Sequence, residues 1–392
     1  MTVNSKRVIT KLPEINNMYH PFNSAFLFSA VVLLGASGLH SASAQTAKID
    51  TTHLSDDAFC IVRIDVQKLR GHMEKKSEVL EKFAALVENE GGFDLMEMKA
   101  VTTQNFFAIG ESEPEFAVTF EFSQDFDRES FFEKNPRFKS DETEFMGKTY
   151  LKASSKSEPN LYFANKRKFT MATAGAIELI IQAESGMGTM ADKIKSAPAK
   201  AEISVAFRSN DGFKEMASQF FSDLPPLGLP IDPLKSIHTV LAGTGYMDLR
   251  SSSPLVIQLT CKNKAAASQM KGLSSALVAM GKTSLSAAQT QLDEQMKNLE
   301  NLDEEVQGMI KNQLSVAAKA MPIANEILAG FAAQSKENVV TMKVNRMGGM
   351  SEMVGIAIEQ IFMGIGVSQE FRGPIEDPEF LDRPIELKGE ID

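Results

Sequence analysis

The sequence feature that most constrains the fold is the alternating stretch Glu115–Ser123. Every second residue in it is large and apolar, which is the pattern of a strand with one buried face: Phe116, Val118, Phe120 and Phe122. The wider stretch Gln104–Ser123 contains two such strands joined by a charged turn, and Ile237–Lys262 repeats the pattern in diverged form. The sequence therefore predicts a β-hairpin that occurs twice.

The segments around the two hairpins follow the same order. A strand pattern precedes each hairpin, at Ala58–Asp65 and at Glu202–Arg208, and a helical pattern follows each. We therefore expect an α+β protein of two diverged repeats of antiparallel sheet, with helices packed on one face. The small and polar residues of Ser185–Lys200 place the boundary between the repeats.

The predicted segments are a signal peptide (1–44), a first α+β repeat (45–199), a second α+β repeat (200–372) and an acidic, proline-containing tail (373–392). Helices are expected at Ser77–Asn89, Gly175–Glu184 and Ser351–Met363. One strand is expected over Glu144–Lys152.

The second repeat contains a long helical insertion over about 265–333, where the first repeat needs only a short helix. An apolar stripe runs along Leu292–Gln313 in steps of three and four, and Pro322 breaks or kinks the helix. Long insertions that a topology does not require are often functional, so we expect a partner to bind here. A helical hairpin folded on itself is the alternative.

The N-terminus has the pattern of an export signal. Lys6, Arg7 and Lys11 precede an apolar run over Ala25–Leu39, and the small residues of Ala42–Ala44 form a cleavage site before Gln45. The run has 15 residues, fewer than the roughly 20 that span a bilayer. We predict cleavage near Ala44 and a periplasmic or secreted protein with no transmembrane segment in the mature chain; an uncleaved anchor is the alternative.

The charge of the chain argues against two classes of partner. The formal net charge is −10, and loss of the basic leader makes it more negative. Such a chain is poorly suited to nucleic acid or to an anionic membrane surface. An unknown protein or envelope component is the predicted partner.

The two cysteines, Cys60 and Cys261, each lie in the apolar pattern of a predicted strand. An exported protein could join them in a disulfide. Because unpaired cysteine is among the most buried residue types, we predict two buried free thiols.

Three further motifs resemble a class of exported bacterial proteins of unknown function, namely Ile64–Leu69, the strand around Gly147–Tyr150, and the segment Leu161–Ala183 with its Phe163, Arg167 and Phe169. The resemblance covers residues 58–184 and, more weakly, the chain after 200. It implies a signal peptide and the α+β repeat. The class has no assigned catalytic residues, so none is carried over.

Short motifs that suggest chemistry are incomplete. Gly281–Thr283 resembles a phosphate-loop end, but Ala276 occupies the position of the first glycine. Ser268–Lys271 matches Ser-x-x-Lys without its companion motifs. Gly243–Gly245 lacks the third glycine of a dinucleotide loop and is expected to be a tight strand end.

Metal and acid–base sites are likewise not predicted. His53, His72 and His238 have no second ligand at metal spacing. Two acidic sets lack the calcium-loop spacing: Asp223, Asp232 and Asp248, and Glu300, Asp303, Glu304 and Glu305. The C-terminal methionines are expected to fill a core.

The predictions are accordingly no catalytic, cofactor-binding or metal residues and no cofactor. We expect an exported non-enzymatic binding or scaffolding protein of the cell envelope. The alternative is a hydrolase whose carboxylate site is assembled only in the fold.

Overall fold

A computed structural model describes residues 49–70, 92–107, 115–155, 158–211, 233–298 and 320–345, with a few single residues between them. Its strands form one antiparallel sheet in the order β11-β12-β10-β9-β8-β1-β2-β3-β7-β6-β5-β4. The strands are β1 Cys60–Ile64, β2 Met98–Phe106, β3 Glu115–Phe122, β4 Asp141–Phe145, β5 Lys148–Lys152, β6 Asn160–Asn165, β7 Lys168–Ala172, β8 Ile203–Arg208, β9 Val240–Met247, β10 Leu255–Cys261, β11 Phe331–Lys336 and β12 Val339–Val344.

The two halves of the sheet have the same pairing order outward from the central β1–β8 pair. On one side β1 is followed by β2, β3, β7 and β6, and on the other β8 is followed by β9, β10, β12 and β11. Val62 pairs with Val205 at the middle of the β1–β8 register. Two repeats would give this order, and common origin of the halves stays a prediction.

The helices of the described residues are α1 Val66–Arg70, α2 Arg128–Lys134, α3 Ala174–Gln182, α4 Thr189–Lys195, α5 Pro233–Ile237, α6 Lys264–Asn298 and α7 at 320–330. Asp127 begins α2 as its N-cap, accepting hydrogen bonds from the backbone N–H groups of Glu129 and Ser130, both at 3.0 Å. The α+β class with a large antiparallel sheet is confirmed.

One face of the first half carries an aromatic core. Phe120 and Phe169 pair across β3 and β7 with their rings stacked at 4.9 Å. Phe131 of α2 packs against Phe169 with ring centroids 5.7 Å apart, and Phe93 packs against Phe120 at 5.5 Å. Burial of such large rings is the main stabilising contribution of this face.

The other face of the first half is covered as well. Ile177 and Ile180 of α3 and Ile194 of α4 pack there with Ala117 of β3 and Ala172 of β7. Both sides of β3 and β7 are buried. Helices therefore lie on both faces of this half, not on one face as expected, because the small side chains on the second face allow a helix to approach closely.

In the second half α6 packs on the face that continues the aromatic core. Ala267, Met270 and Leu273 lie with Leu259 and Val340 in one buried cluster. Helix does not extend to 333 as predicted, because Phe331–Lys336 forms β11 along β12. Ala and Lys favour helices, and pairing at the sheet edge overrides that preference.

Helix α7 lies beside α6. A Cβ placed on Gly281 would be 3.4 Å from both methyl carbons of Leu328. Helix is present on both sides of Pro322, at 320–321 and 323–330, so the chain does not leave the helix at this proline as predicted. The insertion thus brings two helices together, in line with the helical-hairpin alternative.

The predicted strand Glu144–Lys152 is two strands, β4 and β5, with a tight turn at Met146 and Gly147, where φ is 51° and 73°. Other predicted segments lie wholly or mostly outside the described residues, namely the signal peptide, the helices Ser77–Asn89 and Ser351–Met363, and the tail 373–392.

Candidate functional site

Charged and polar side chains gather on the face of the first half that lies opposite the aromatic core. They come from four neighbouring strands, and the N-terminal segment, residues 49–58, lies against them. The buried members are Arg63, Thr102, Thr119, Glu121, Lys168 and Thr170. We call this set the polar cluster.

The centre of the polar cluster is a two-pronged ion pair. Arg63 Nη1 donates to Glu121 Oε1 at 2.6 Å and Nη2 donates to Oε2 at 3.2 Å. Nη1 also donates to Thr102 Oγ1 at 3.2 Å. Burial alone would lower the pKa of the Arg63 guanidinium, but the charge and hydrogen bonds of Glu121 outweigh it and raise that pKa.

Lys168 connects the polar cluster to the N-terminal segment. Its Nζ donates to Asp50 Oδ2 at 2.7 Å and to Thr52 Oγ1 at 2.7 Å, and it lies 4.0 Å from Glu121 Oε1. Partial burial would raise the pKa of Asp50, yet the hydrogen bonds from Lys168 and Thr52 bring it down to about 2. The Asp50 carboxylate is therefore charged near neutral pH.

The N-terminal segment is hydrogen-bonded along its length. Gln104 accepts from Ser55 N at 2.9 Å and donates to His53 O at 2.8 Å. Asp56 accepts from the first backbone N–H groups of α4, those of Thr189 at 3.0 Å and Met190 at 2.9 Å. The segment is thus part of the fold and closes the sheet face over the polar cluster.

His53 is buried beneath this segment in a left-handed backbone conformation, with φ of 67°. Its Nδ1 lies 3.4 Å from Ile180 O, and its ring meets the Tyr162 ring edge-on at 5.6 Å. Burial and the neighbouring Lys168 charge lower the pKa of this imidazole. His53 is therefore neutral at neutral pH.

The polar cluster is suited to holding neighbouring strands and the N-terminal segment together, and it is poorly suited to acid–base catalysis. Glu121, Asp50 and Lys168 each have an ion-pair partner, so none is free to exchange a proton with a substrate. The low pKa of Asp50 is opposite to what a general acid requires. Within the described residues, no three His, Cys, Asp or Glu side chains are placed to hold a metal ion.

A cleft of about 290 Å³ lies where β5 separates from β6. These two strands are paired through one residue each, Leu151 and Leu161, and the cleft opens beside that pair. Its two cations are engaged: Arg128 lies 3.9 Å over the Phe163 ring, and Lys148 donates to Glu184 at 2.7 Å. Glu142 is the one carboxylate among the residues that line the cleft, so the lining provides no pair of carboxylates.

The two thiols are unpaired. Cys261 is buried as predicted, whereas Cys60 is half-buried. Cys60 of β1 pairs with Phe207 of β8, Phe207 with Gly243 of β9, and Gly243 with Leu259 of β10. β1 and β10 are therefore three strand spacings apart. That separation is about 14 Å, too far for a disulfide. Burial raises the pKa of the Cys60 thiol to about 11.

The incomplete motifs have structural places. Ser268 and Lys271 are exposed on α6, and Gly281–Thr283 lies within the same helix. Gly243 is in the interior of β9, not at a strand end as predicted. The Phe207 ring of β8 occupies the space that a side chain at this position would need, which explains the glycine.

The remaining candidates come together nowhere in the described residues. His238 Nε2 lies 3.2 Å from Ser218 Oγ, and Asp248 is in the turn after β9. Met342 packs against the α6 cluster. His72, the acidic residues Asp223 and Asp232, and the acidic set at 300–305 lie outside the described residues, as do the methionines at 347–363.

The polar cluster leaves only a partial signal in the sequence. Arg63 interrupts the apolar pattern of β1, but the sequence does not indicate which acid it pairs with. Glu121 and Lys168 lie 58 and 105 positions further along the chain, and only the strand registers bring them together. A charged residue inside each of three strong strand patterns was the available signal.

Comparisons with known proteins leave the family open. No protein-family model matches the chain, and no curated protein matches it. Among solved structures, crystal form III of the Treponema protein TP0453 has a TM-score of 0.35 at 10% identity, over 76% of this chain and 94% of that one. Crystal form I gives 0.36 at 9% identity, over 80% and 99%. Likenesses of this size carry no argument about function.

Proposed function

We propose that this chain is an exported, non-enzymatic binding or scaffolding protein of the cell envelope, and that its helical insertion is the partner-binding element. The observation that carries the proposal is the length of α6 relative to the sheet it covers. The helix has 35 residues, a length of about 52 Å. β10, the strand before it, has 7 residues and a length of about 24 Å.

Helix α6 is buried mainly at its beginning. Its buried side chains are Ala266, Ala267, Met270, Leu273 and Ser274, and beyond them only Leu292 among the described positions. Leu277 and Met296 are each 38% exposed. The part of α6 beyond Ser274, residues 275–298, therefore presents a partly apolar surface that the sheet does not need.

The arrangement of charges favours binding over the hydrolase alternative. A carboxylate hydrolase needs one acid with a raised pKa beside a second carboxylate. Glu121 of the polar cluster is held by Arg63. Asp50 of the N-terminal segment is held by Lys168, and its pKa is about 2. The hydrolase alternative has no supporting contact among the described residues.

Export to the envelope rests on the signal-like leader, which lies outside the described residues. In the described part of the chain, no helix combines the length and apolar character of a membrane span. Intact-mass analysis of the mature protein tests export directly: we expect Gln45 at the N-terminus, and a full-length chain held in the membrane would contradict it.

Site-specific photocrosslinking, in cells that produce and export the protein, tests the partner-binding role of α6. A benzophenone amino acid is placed at Leu277 or Met296, with Met146 as the matched control because it is exposed and apolar but lies on the opposite half. We expect one adduct of discrete mass from both α6 positions and none from the control. Absence of an α6 adduct, or an equal adduct from Met146, would overturn the proposal.

A further inference from the structure

The sheet face that is closed in the first half by α3 has a counterpart in the second half. Of the described helices, α4 packs on that face at Ala206 of β8. No described helix other than α6 makes a substantial contact with β10 or β12. In the second half, α6 covers only the face that bears Leu259 and Val340. The opposite face carries Val256, Gln258 and Lys343, since these residues alternate with the α6 contacts along β10 and β12. Val256 is nevertheless only 3% exposed.

The strand registers give an equivalence between the two halves. Starting from the central Val62–Val205 pair, Thr102 corresponds to Thr244. Two strands further out in each half, Thr170 of β7 corresponds to Thr341 of β12. Both Thr170 and Thr341 are followed by a methionine. By the same count, the pair Ala117–Ala172 corresponds to the pair Val256–Lys343.

In the first half, Ala117 and Ala172 lie in the same buried cluster as α3. The buried residues of that helix are Ala176, Ile177, Ile180 and Ile181, within the sequence AIELII. After β12 the chain contains AIEQIF at Ala357–Phe362. Each buried position of α3 has an apolar counterpart there, and the intervening glutamate is shared.

We propose that the chain's own segment Ala357–Phe362 docks on the open face of the second half, over Val256, as α3 docks over Ala117. This segment is the occupant for three reasons: it follows β12 as α3 follows β7, it presents the same apolar spacing, and Val256 is an apolar seat at the matching position. Gln258, the counterpart of Thr119 in this half, is exposed. This inference is independent of the proposed binding role of the insertion.

Thiol protection in the full chain tests the docking. Val256→Cys is introduced, and its labelling by N-ethylmaleimide is followed by mass spectrometry that resolves it from Cys60 and Cys261. We expect slow labelling that speeds up on the order of tenfold or more when Ile358→Asp and Ile361→Asp are added, a factor of ten being about 1.4 kcal/mol. Glu359→Gln, at the shared glutamate, is the matched control and should leave the rate unchanged.

A second measurement keeps the test decisive if the aspartate variant unfolds. Val256→Cys and Ile358→Cys are combined and treated with a short bismaleimide crosslinker at several protein concentrations. A concentration-independent crosslink within one chain is the expected result. A crosslink between two chains, or equal labelling of Val256→Cys in all variants, would overturn the proposal.

Discussion

Arg63 of β1 and Glu121 of β3 form two hydrogen bonds, of 2.6 and 3.2 Å, across the intervening strand β2. Both side chains are more than nine-tenths buried. A buried ion pair does not by itself make a fold more stable than apolar residues would, but loss of one partner leaves an unpaired charge. In the observed registers the pair links β1 to β3 across β2.

Removal of one member of this pair should lower the free energy of unfolding strongly, and removal of both should lower it much less. Glu121→Met is expected to lower the free energy of unfolding by about 3–5 kcal/mol, because the Arg63 guanidinium would stay buried without its partner. Arg63→Met in the same chain should restore most of the loss. Urea unfolding of the native chain, the single variant and the double variant measures this, and a double variant no more stable than the single one would contradict it.

Acid should weaken the attachment of the N-terminal segment. The folded-state pKa of His53 is lowered, so the unfolded chain takes up a proton first and stability falls as the pH drops below about 6.5. The pKa of Asp50 is about 2, so its contribution is present above about pH 4 and is lost as the pH falls toward 2. Acid therefore lowers the stability of the fold through both His53 and Asp50.

The charged groups that act on His53 are Lys168, Glu184 and Asp50. His53→Asn is the informative variant, since asparagine tolerates a left-handed backbone and does not titrate. Urea midpoints between pH 5 and 7 should fall with acid in the native chain and fall less in the variant. An identical pH dependence in both chains would exclude His53 as the cause.

Two glycines of β9 should respond differently to the same change. Gly243→Ala should destabilise by about 1–3 kcal/mol, because the new methyl group would overlap the Phe207 ring. Gly245→Ala should be tolerated, since the nearest atom to its Cβ is Val256 O at 3.5 Å. Thermal unfolding compares them, and equal losses would show that Phe207 is not the obstacle.

The thiols should remain unpaired in the exported protein. Non-reducing peptide mapping is expected to find Cys60 and Cys261 in separate peptides, because the strands between them hold them apart. Cys60 should also react slowly with iodoacetamide at pH 8, since its pKa is about 11. A linked peptide would mean that the sheet order is different.

The strands were more predictable from sequence than their neighbours in space. Alternation located β3 and β10, because one face of each is apolar at every second residue. The turn at Met146 and Gly147 was missed since a single glycine in an apolar run is a weak signal. The first three residues of β11, Phe331–Ala333, were predicted to end the helix because alanine favours helix, and only pairing with Val339–Val344 selects the strand.

The polar cluster could be predicted only in part. Arg63 was marked by its charge within an apolar pattern, but its partner depends on how β1, β2 and β3 align. The joining of the two halves of the sheet through β1 and β8 likewise depends on contacts between residues that are 139 to 147 positions apart. Local pattern carries no record of such pairings.

Replacing residues 282–327 with a short glycine–serine linker tests the central claim most directly. Gly281 and Leu328 are neighbours, so a linker of about four residues spans the gap between the two helices. Hydrogen exchange of β8–β10 and β12 first establishes that the shortened chain is folded, and both chains are then sedimented with the envelope fraction of the exporting cells. We predict that the full chain sediments with the envelope while the shortened, folded chain stays in the supernatant. Equal sedimentation of the two chains, or loss of strand protection on shortening, would contradict the account.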